Sequence, residues 1–170
     1  MAAYWGWEIW LEQSQDIPIL AAAQRYGVEP ALVKAIVWRE SRFHSGARGL
    51  AHEIGLMQVR AEAAQEWADA EHVPKFEHEA CLDPVTNTLA GTFYLRKLLK
   101  RYAGTDDPMP YALADYNAGR GNVLKWNSGA AATNSAAFTA QIGFPSTREY
   151  VRSVTRRYRK YQRTFPALPY

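Results

Sequence analysis

Residues 30–42 read Pro30-Ala31-Leu32-Val33-Lys34-Ala35-Ile36-Val37-Trp38-Arg39-Glu40-Ser41-Arg42, and this stretch decides the fold. Pro30 stands where a first-turn proline is tolerated, since the N–H it lacks has no partner at a helix start anyway. Val33, Ile36, Val37 and Glu40 follow at i, i+3, i+4 and i+7, which puts them on one helical face. The same punctuation repeats outward. Upstream, Asp16 is placed to cap a helix over 17–26 that Gly27 ends. Downstream, a polar, glycine-containing stretch over 41–55 leads to a helix over 61–70. Asp83-Pro84 opens the longest helix, with Val85, Leu89, Phe93, Leu95, Leu98, Leu99 and Tyr102 on its apolar side up to Gly104. Asp107-Pro108 opens another that reaches Tyr116, and Gly119 and Gly121 break it before a short turn through Val123 and Trp126. Residues 127–143 are small and polar without a period and read as a loop or loosely helical flap. Ser146 and Glu149 have capping-box spacing for a final helix with Tyr150, Val151, Val154, Tyr158 and Tyr161 on one face. Period-two alternation is nearly absent, so the expected class is all-α. Residues 1–15 read as an N-terminal aromatic arm and 16–170 as a single helical domain.

Composition bounds the function. The chain has 170 residues, 48% of them hydrophobic, which is enough apolar material for one real core. Its formal charge of +3 is unevenly spread: seven basic residues and only Glu149 lie between Arg148 and Arg163, so that segment carries +6 and the remainder −3. A mildly acidic body with one basic end argues against a nucleic-acid partner, which would ask for a basic face across the domain. No apolar run reaches the roughly 18–20 residues of a membrane span. Met1 to Leu11 has neither a basic lead-in nor a long aliphatic stretch, so no signal segment is read there. Cys81 stands alone, and His44, His52, His72 and His78 lack ligand-like spacing, so no metal site is expected.

Glu40 is the residue out of place. It shares the stripe that the aliphatic residues commit to the core, and it lies at the helix C-terminal end, where the macrodipole disfavours an anion. Both effects are expected to push its pKa upward, and a carboxyl held protonated near neutral pH suits a general acid for a glycosidic oxygen. The plainer alternative is a glutamate that reaches the helix edge and pairs with Arg39 or Arg42.

The surroundings of Glu40 favour the first reading. Glu40-Ser41-Arg42-Phe43 is followed by Gly55-Leu56-Met57-Gln58-Val59. Asp83-Pro84 is followed by Asn87, Gly91, Tyr94 and Leu95, then by Ala114-Asp115-Tyr116-Asn117-Ala118-Gly119, and finally by Thr147-Arg148-Glu149-Tyr150-Val151. In this order and spacing the four motifs, over about two-thirds of the chain, resemble the soluble lytic transglycosylase (SLT) family, whose catalytic domain is a lysozyme-like α-fold of the goose-lysozyme kind that cleaves peptidoglycan. The residues make physical sense by themselves. Gly55 lets backbone lie close to a sugar, and the Gln58 amide both donates and accepts. Tyr116 and Asn117, just before Gly119, are placed to present a phenol and an amide to a cleft, or else to pack on the core and cap a turn. Met57 fits a core or a cleft wall equally, and Asn87, Gly91 and Tyr94 read as one helix face packing closely on another.

The resemblance implies a single glutamate, Glu40. It would protonate the bond between N-acetylmuramic acid (MurNAc) and N-acetylglucosamine (GlcNAc), and then, as carboxylate, take the proton of the muramoyl 6-hydroxyl to close a 1,6-anhydro ring. It implies Gln58 and Met57 at the sugar, Tyr116 positioning Glu40 or the acetamido group, Asn117 and Ser41 ordering the cleft, and no metal or organic cofactor. Three departures stand out. Gly49 replaces the serine the family usually carries nine residues after the glutamate. Arg60-Ala61 replaces Met-Pro and sets a cation where a peptide-stem or lactyl carboxylate would lie. His52-Glu53 replaces Gly-Ala. Glu53 is read either as a second carboxylate that would activate water, or as a loop residue held by Arg48 or Arg60. Ser146 also replaces a common glutamate.

The expected function is therefore a peptidoglycan lytic transglycosylase acting on glycan strands as a monomer. The alternatives are a hydrolytic goose-type muramidase or a non-catalytic wall-binding or secretion-associated module. The expected place of action is periplasmic or wall-associated, with delivery by a phage tail as a further route. The basic last helix is expected to face an anionic wall or membrane surface.

Overall fold

Asp-Pro pairs set two of the helix starts. In the computed structural model, which describes residues 10–165, the elements are α1 (Asp16–Tyr26), α2 (Pro30–Ser41), α3 (Ala61–Ala70), α4 (Pro84–Arg101), α5 (Pro108–Ala118), α6 (Arg120–Trp126), α7 (Ser135–Gln141) and α8 (Pro145–Thr164), with 3-10 turns at His78–Leu82 and Gly129–Ala132. Among the described residues the only β pairing is isolated bridges joining Arg48 to Ile54 and Ile54 to Val59. Asp83 caps α4 by accepting from the Thr86 N–H at 2.8 Å, and Asp107 caps α5 by accepting from the Met109 N–H at 2.9 Å. Gly27 ends α1 at φ 61°. The aromatic-arm reading falls mostly outside the described residues, of which 10–13 form a helical turn.

Two elements differ from expectation. Residues 127–143 are no flap: Asn134 caps α7 by accepting from the Ala137 N–H at 2.8 Å, and Ala131, Phe138 and Ile142 are fully buried. Three apolar anchors spread over twelve residues leave no periodic trace, yet they suffice once packed. The capping box at Ser146 also fails, because α8 begins two residues earlier than that cap requires, at Pro145, with the Phe144 carbonyl accepting from the Arg148 N–H at 3.0 Å. Asp16, expected as a cap, pairs instead with Lys34.

The described residues form two compact units, 10–94 with 158–165, and 95–157, and the boundaries fall within α4 and within α8. The described part of the first unit is built around α2. This helix is buried on every side from Pro30 to Val37, not along a single stripe, and even Lys34 is buried. Its ammonium lies 2.5 Å from Asp16 Oδ1 and 4.2 Å from the Phe165 ring centroid, so the charge is paired and faces aromatic surface instead of water. In the second unit Tyr111 stacks on Phe138 with centroids 4.0 Å apart and on Tyr102 at 5.6 Å, while its hydroxyl donates to the Ala131 carbonyl at 2.8 Å.

Candidate active site

Where α2 leaves the core, burial gives way within one turn. Val37 is fully buried, whereas Trp38, Arg39 and Glu40 are half-buried, so Glu40 sits where a helix emerges rather than on a stripe that continues inward. It is the only acidic residue of α2. Ser41 turns back into the helix: its hydroxyl donates to the Val37 carbonyl at 3.2 Å and the residue is buried. Arg42 stacks its guanidinium 3.5 Å from the Trp38 ring centroid and donates to the Trp38 carbonyl.

The chain then makes an irregular loop, 42–60, that holds several unfavourable backbone angles. Arg42, Phe43, His52 and Gln58 all have positive φ without being glycine. Such residues cost on the order of 1–3 kcal/mol each and persist where surrounding structure over-determines them. What over-determines this loop is visible in its hydrogen bonds. The Gly49 N–H donates to the Glu53 carbonyl at 2.7 Å, the Gly55 N–H to the Ala47 carbonyl at 2.8 Å, and Ile54 and Val59 exchange a pair of bonds. From below, buried Asn87 of α4 accepts from the Met57 N–H at 2.7 Å and donates to the Ile54 and Cys81 carbonyls at 2.9 and 2.7 Å. Gly55 has φ 76°, and a Cβ there would meet Asn87 Nδ2 at 2.1 Å. The approach that requires this glycine is therefore to the clamp beneath the loop.

The same geometry puts Met57 in the core instead of at the sugar. It is fully buried and receives the Thr92 hydroxyl at 3.8 Å on its sulfur, while the missing Cβ of Gly91 would lie 2.6 Å from that sulfur. It packs the loop onto α4 and is no part of a cleft wall. Gln58 is half-buried, and its amide nitrogen donates to the Ala47 and Gly55 carbonyls at 3.2 and 2.9 Å. Both donors are thus spent on backbone, and only Oε1 remains as an acceptor.

Glu53 accepts from the Ala51 N–H at 3.0 Å on Oε2 and from Arg60 at 3.2 Å on Oε1. Partial burial acts to raise its pKa, but its own and the Ala51 backbone N–H groups together with Arg60 outweigh burial and hold it below the ordinary glutamate value. Arg48 pairs with Glu79 instead. Of the two partners weighed for Glu53, Arg60 is the one it takes. Sequence reasoning missed that Gly49 belongs to this group: a Cβ there would meet Glu53 Oε2 at 2.3 Å and Gln58 Oε1 at 2.9 Å.

Tyr116 and Asn117 belong to the second unit, at the end of α5. Tyr116 is half-buried and Asn117 exposed, and Asn117 Oδ1 accepts from the buried Thr147 hydroxyl of α8 at 2.8 Å. The third and fourth sequence motifs therefore meet side chain to side chain. Beside Tyr116, Asp115 is buried, and its Oδ2 accepts from Arg101 at 2.6 Å and Tyr102 at 2.7 Å, which ties α5 to the end of α4.

An all-helical chain that delivers one acidic residue at the emerging end of a buried helix, next to a tightly restrained glycine-containing loop, defines a lysozyme-like domain. The chain belongs to the transglycosylase SLT domain family, which it matches over residues 17–139. It is 32% identical over 135 residues to a putative soluble lytic murein transglycosylase of Haemophilus influenzae, covering 79% of this chain and 22% of that protein. The structure of a lytic transglycosylase from Pseudomonas aeruginosa, solved as an inactive mutant with one glutamate replaced by glutamine, superposes with a TM-score of 0.81 at 26% identity, covering 89% of this chain and 24% of that one. The 70 kDa soluble lytic transglycosylase of Escherichia coli superposes with a TM-score of 0.71 at 29% identity, covering 85% and 24%. The chain thus spans about a quarter of the length of these relatives.

Proposed function

We propose that this chain is the catalytic domain of a peptidoglycan lytic transglycosylase, with Glu40 as both acid and base. The observation that carries the reading is Glu40 itself, half-buried in the last turn of the central helix inside the family-matched segment. A carboxyl in that setting can give a proton to a leaving oxygen and take one back. In the forward step Glu40 gives its proton to the glycosidic oxygen between MurNAc and GlcNAc, the C–O bond breaks, and the oxocarbenium-like centre is stabilised by the substrate's own acetamido group. The Glu40 carboxylate then takes the proton of the muramoyl 6-hydroxyl as that oxygen bonds to C1, so the bond is cleaved without consuming water.

Gln58 serves as an acceptor for a sugar hydroxyl or N–H, since its donors are occupied. Tyr116 and Asn117 bind sugar, and Ser41 and Arg60 act as support and as a counter-charge for substrate carboxylates. The place of action is the periplasm or cell wall, and the basic face of α8 holds the protein on an anionic wall polymer. Among the described residues no helix is long and apolar enough to cross a membrane.

The test is mass spectrometry of purified sacculi digested by the wild type and by Glu40→Gln. The wild type releases fragments ending in 1,6-anhydroMurNAc, one water lighter than hydrolysis products, and the variant loses about 10²–10⁴-fold in rate. Products with only reducible muramic ends overturn the reading in favour of hydrolysis, and undiminished activity of the variant removes Glu40 from the mechanism.

A further inference from the structure

Two oxygen acceptors converge on one glycine. Glu53 Oε2 and Gln58 Oε1 lie 2.3 and 2.9 Å from the point where a Cβ of residue 49 would stand, so both face the same small space beside the Gly49 backbone. Gln58 cannot relieve this by turning its amide over, because its nitrogen already serves two backbone carbonyls. Glu53 cannot swing away without giving up the Ala51 N–H and Arg60. Gln58 Oε1 has no hydrogen-bond donor among the described residues. Two acceptors held this way repel one another unless a donor stands between them, and restrained acceptors are what selects a donor-bearing ligand.

We propose that Glu53 and Gln58 form an acceptor pair at Gly49 that takes a hydrogen-bond donor of the glycan, a sugar hydroxyl or acetamido N–H, with Glu53 as a specificity-determining residue rather than a proton-transfer group. Gly49 is the third member, since any side chain there fills the space the donor needs. The Glu53 carboxylate stays ionised, as its backbone donors and Arg60 require, which strengthens a hydrogen bond from a neutral donor. This inference rests on the glycan-cleaving reading only for the class of ligand.

The test is therefore made on binding, apart from cleavage. In a Glu40→Gln background, titration with a GlcNAc tetramer is followed calorimetrically for Glu53→Gln, Gly49→Ala and the double variant. Glu53→Gln is isosteric, yet its new NH2 must face either the Ala51 N–H or Arg60, so the pair loses its geometry. It is expected to weaken binding about fivefold, the worth of one hydrogen bond. Gly49→Ala is expected to do the same by displacing Glu53, and the double variant to be no weaker than either single one, because all three remove the same pair. With Glu40 present, Glu53→Gln raises KM more than it lowers kcat. Additive losses, or unchanged binding in the single variants with melting temperatures at the Glu40→Gln value, overturn the proposal. So does a collapse of kcat to the level of Glu40→Gln, which makes Glu53 a proton-transfer group. Failure of the functional reading has a different signature, binding of the tetramer without any product from sacculi.

Discussion

At the scale of single residues the molecule turns on side chains that serve distant backbone. Asn87 is fully buried and makes three hydrogen bonds, to Met57, Ile54 and Cys81. Replacing it by alanine orphans one N–H and two carbonyls in the interior, each carrying its own desolvation cost. Asn87→Ala is expected to destabilise the protein by roughly 2–4 kcal/mol, read from urea unfolding, and Asn87→Asp to be no better, since a carboxylate offers no donor to two carbonyls. A loss below about 0.5 kcal/mol in the alanine variant would show that the loop is held by other means. The sequence marks Asn87 as a packing residue, which is right in kind, but two of its partners lie 30 and 33 residues away, and spacing arguments reach only one or two helical turns. Glu40 is more legible because its placement follows from the local pattern of its own helix. Even so, the stripe argument misjudges α2, which is buried all round and carries Lys34 into the core against Asp16 and Phe165.

At the scale of elements, α4 and the 42–60 loop are joined by a contact that only glycine allows. A Cβ on Gly91 would stand 2.6, 2.8 and 3.0 Å from the sulfur, Cβ and methyl of Met57, and the Met57 Cβ cannot move without the backbone. Gly→Ala within a helix ordinarily gains about 1 kcal/mol, whereas overpacking a filled core costs about 1–3 kcal/mol, so the clash wins. Gly91→Ala is expected to lower stability by about 1–2 kcal/mol in the wild type and by less when Met57 is also alanine, because the sulfur and methyl contacts then go while the Met57 Cβ stays at 2.8 Å. An equal loss in both backgrounds would place the cost elsewhere in α4. Helix starts are readable from sequence because Asp83-Pro84 and Asp107-Pro108 act through their own next residues. Residues 127–143 are not readable, because Phe138 and Ala131 are committed by Tyr111, across the fold of the second unit, and not by any period of their own.

At the scale of the whole molecule the net charge of +3 resolves into one helical face. Arg152, Arg156, Arg159 and Arg163 recur at i, i+4, i+7 and i+11 on α8 and are all exposed, a stripe about 16 Å long at 1.5 Å per residue. None of the four has a carboxylate partner among the described residues, whereas neighbouring Lys160 lies 3.6 Å from Glu12. The opposite face of α8 is spent on the interior through Tyr150, Val151, Val154 and Tyr161, so the helix has no apolar side left to insert into lipid, and its attraction for a partner is electrostatic. A wall polymer with carboxylates along its length suits such a stripe, each exposed contact being weak and the row additive. Binding of the Glu40→Gln protein to intact sacculi, measured by co-sedimentation, is therefore expected to fall steeply as salt rises from about 0.01 M to about 1 M, where the Debye length shrinks from about 30 Å to about 3 Å. Replacing Arg156 and Arg159 together by glutamine should flatten that dependence while leaving the affinity for a neutral GlcNAc tetramer as it was. Binding that ignores salt, or a salt dependence that the double replacement does not change, would take the stripe out of wall attachment and leave the positive charge to solubility alone.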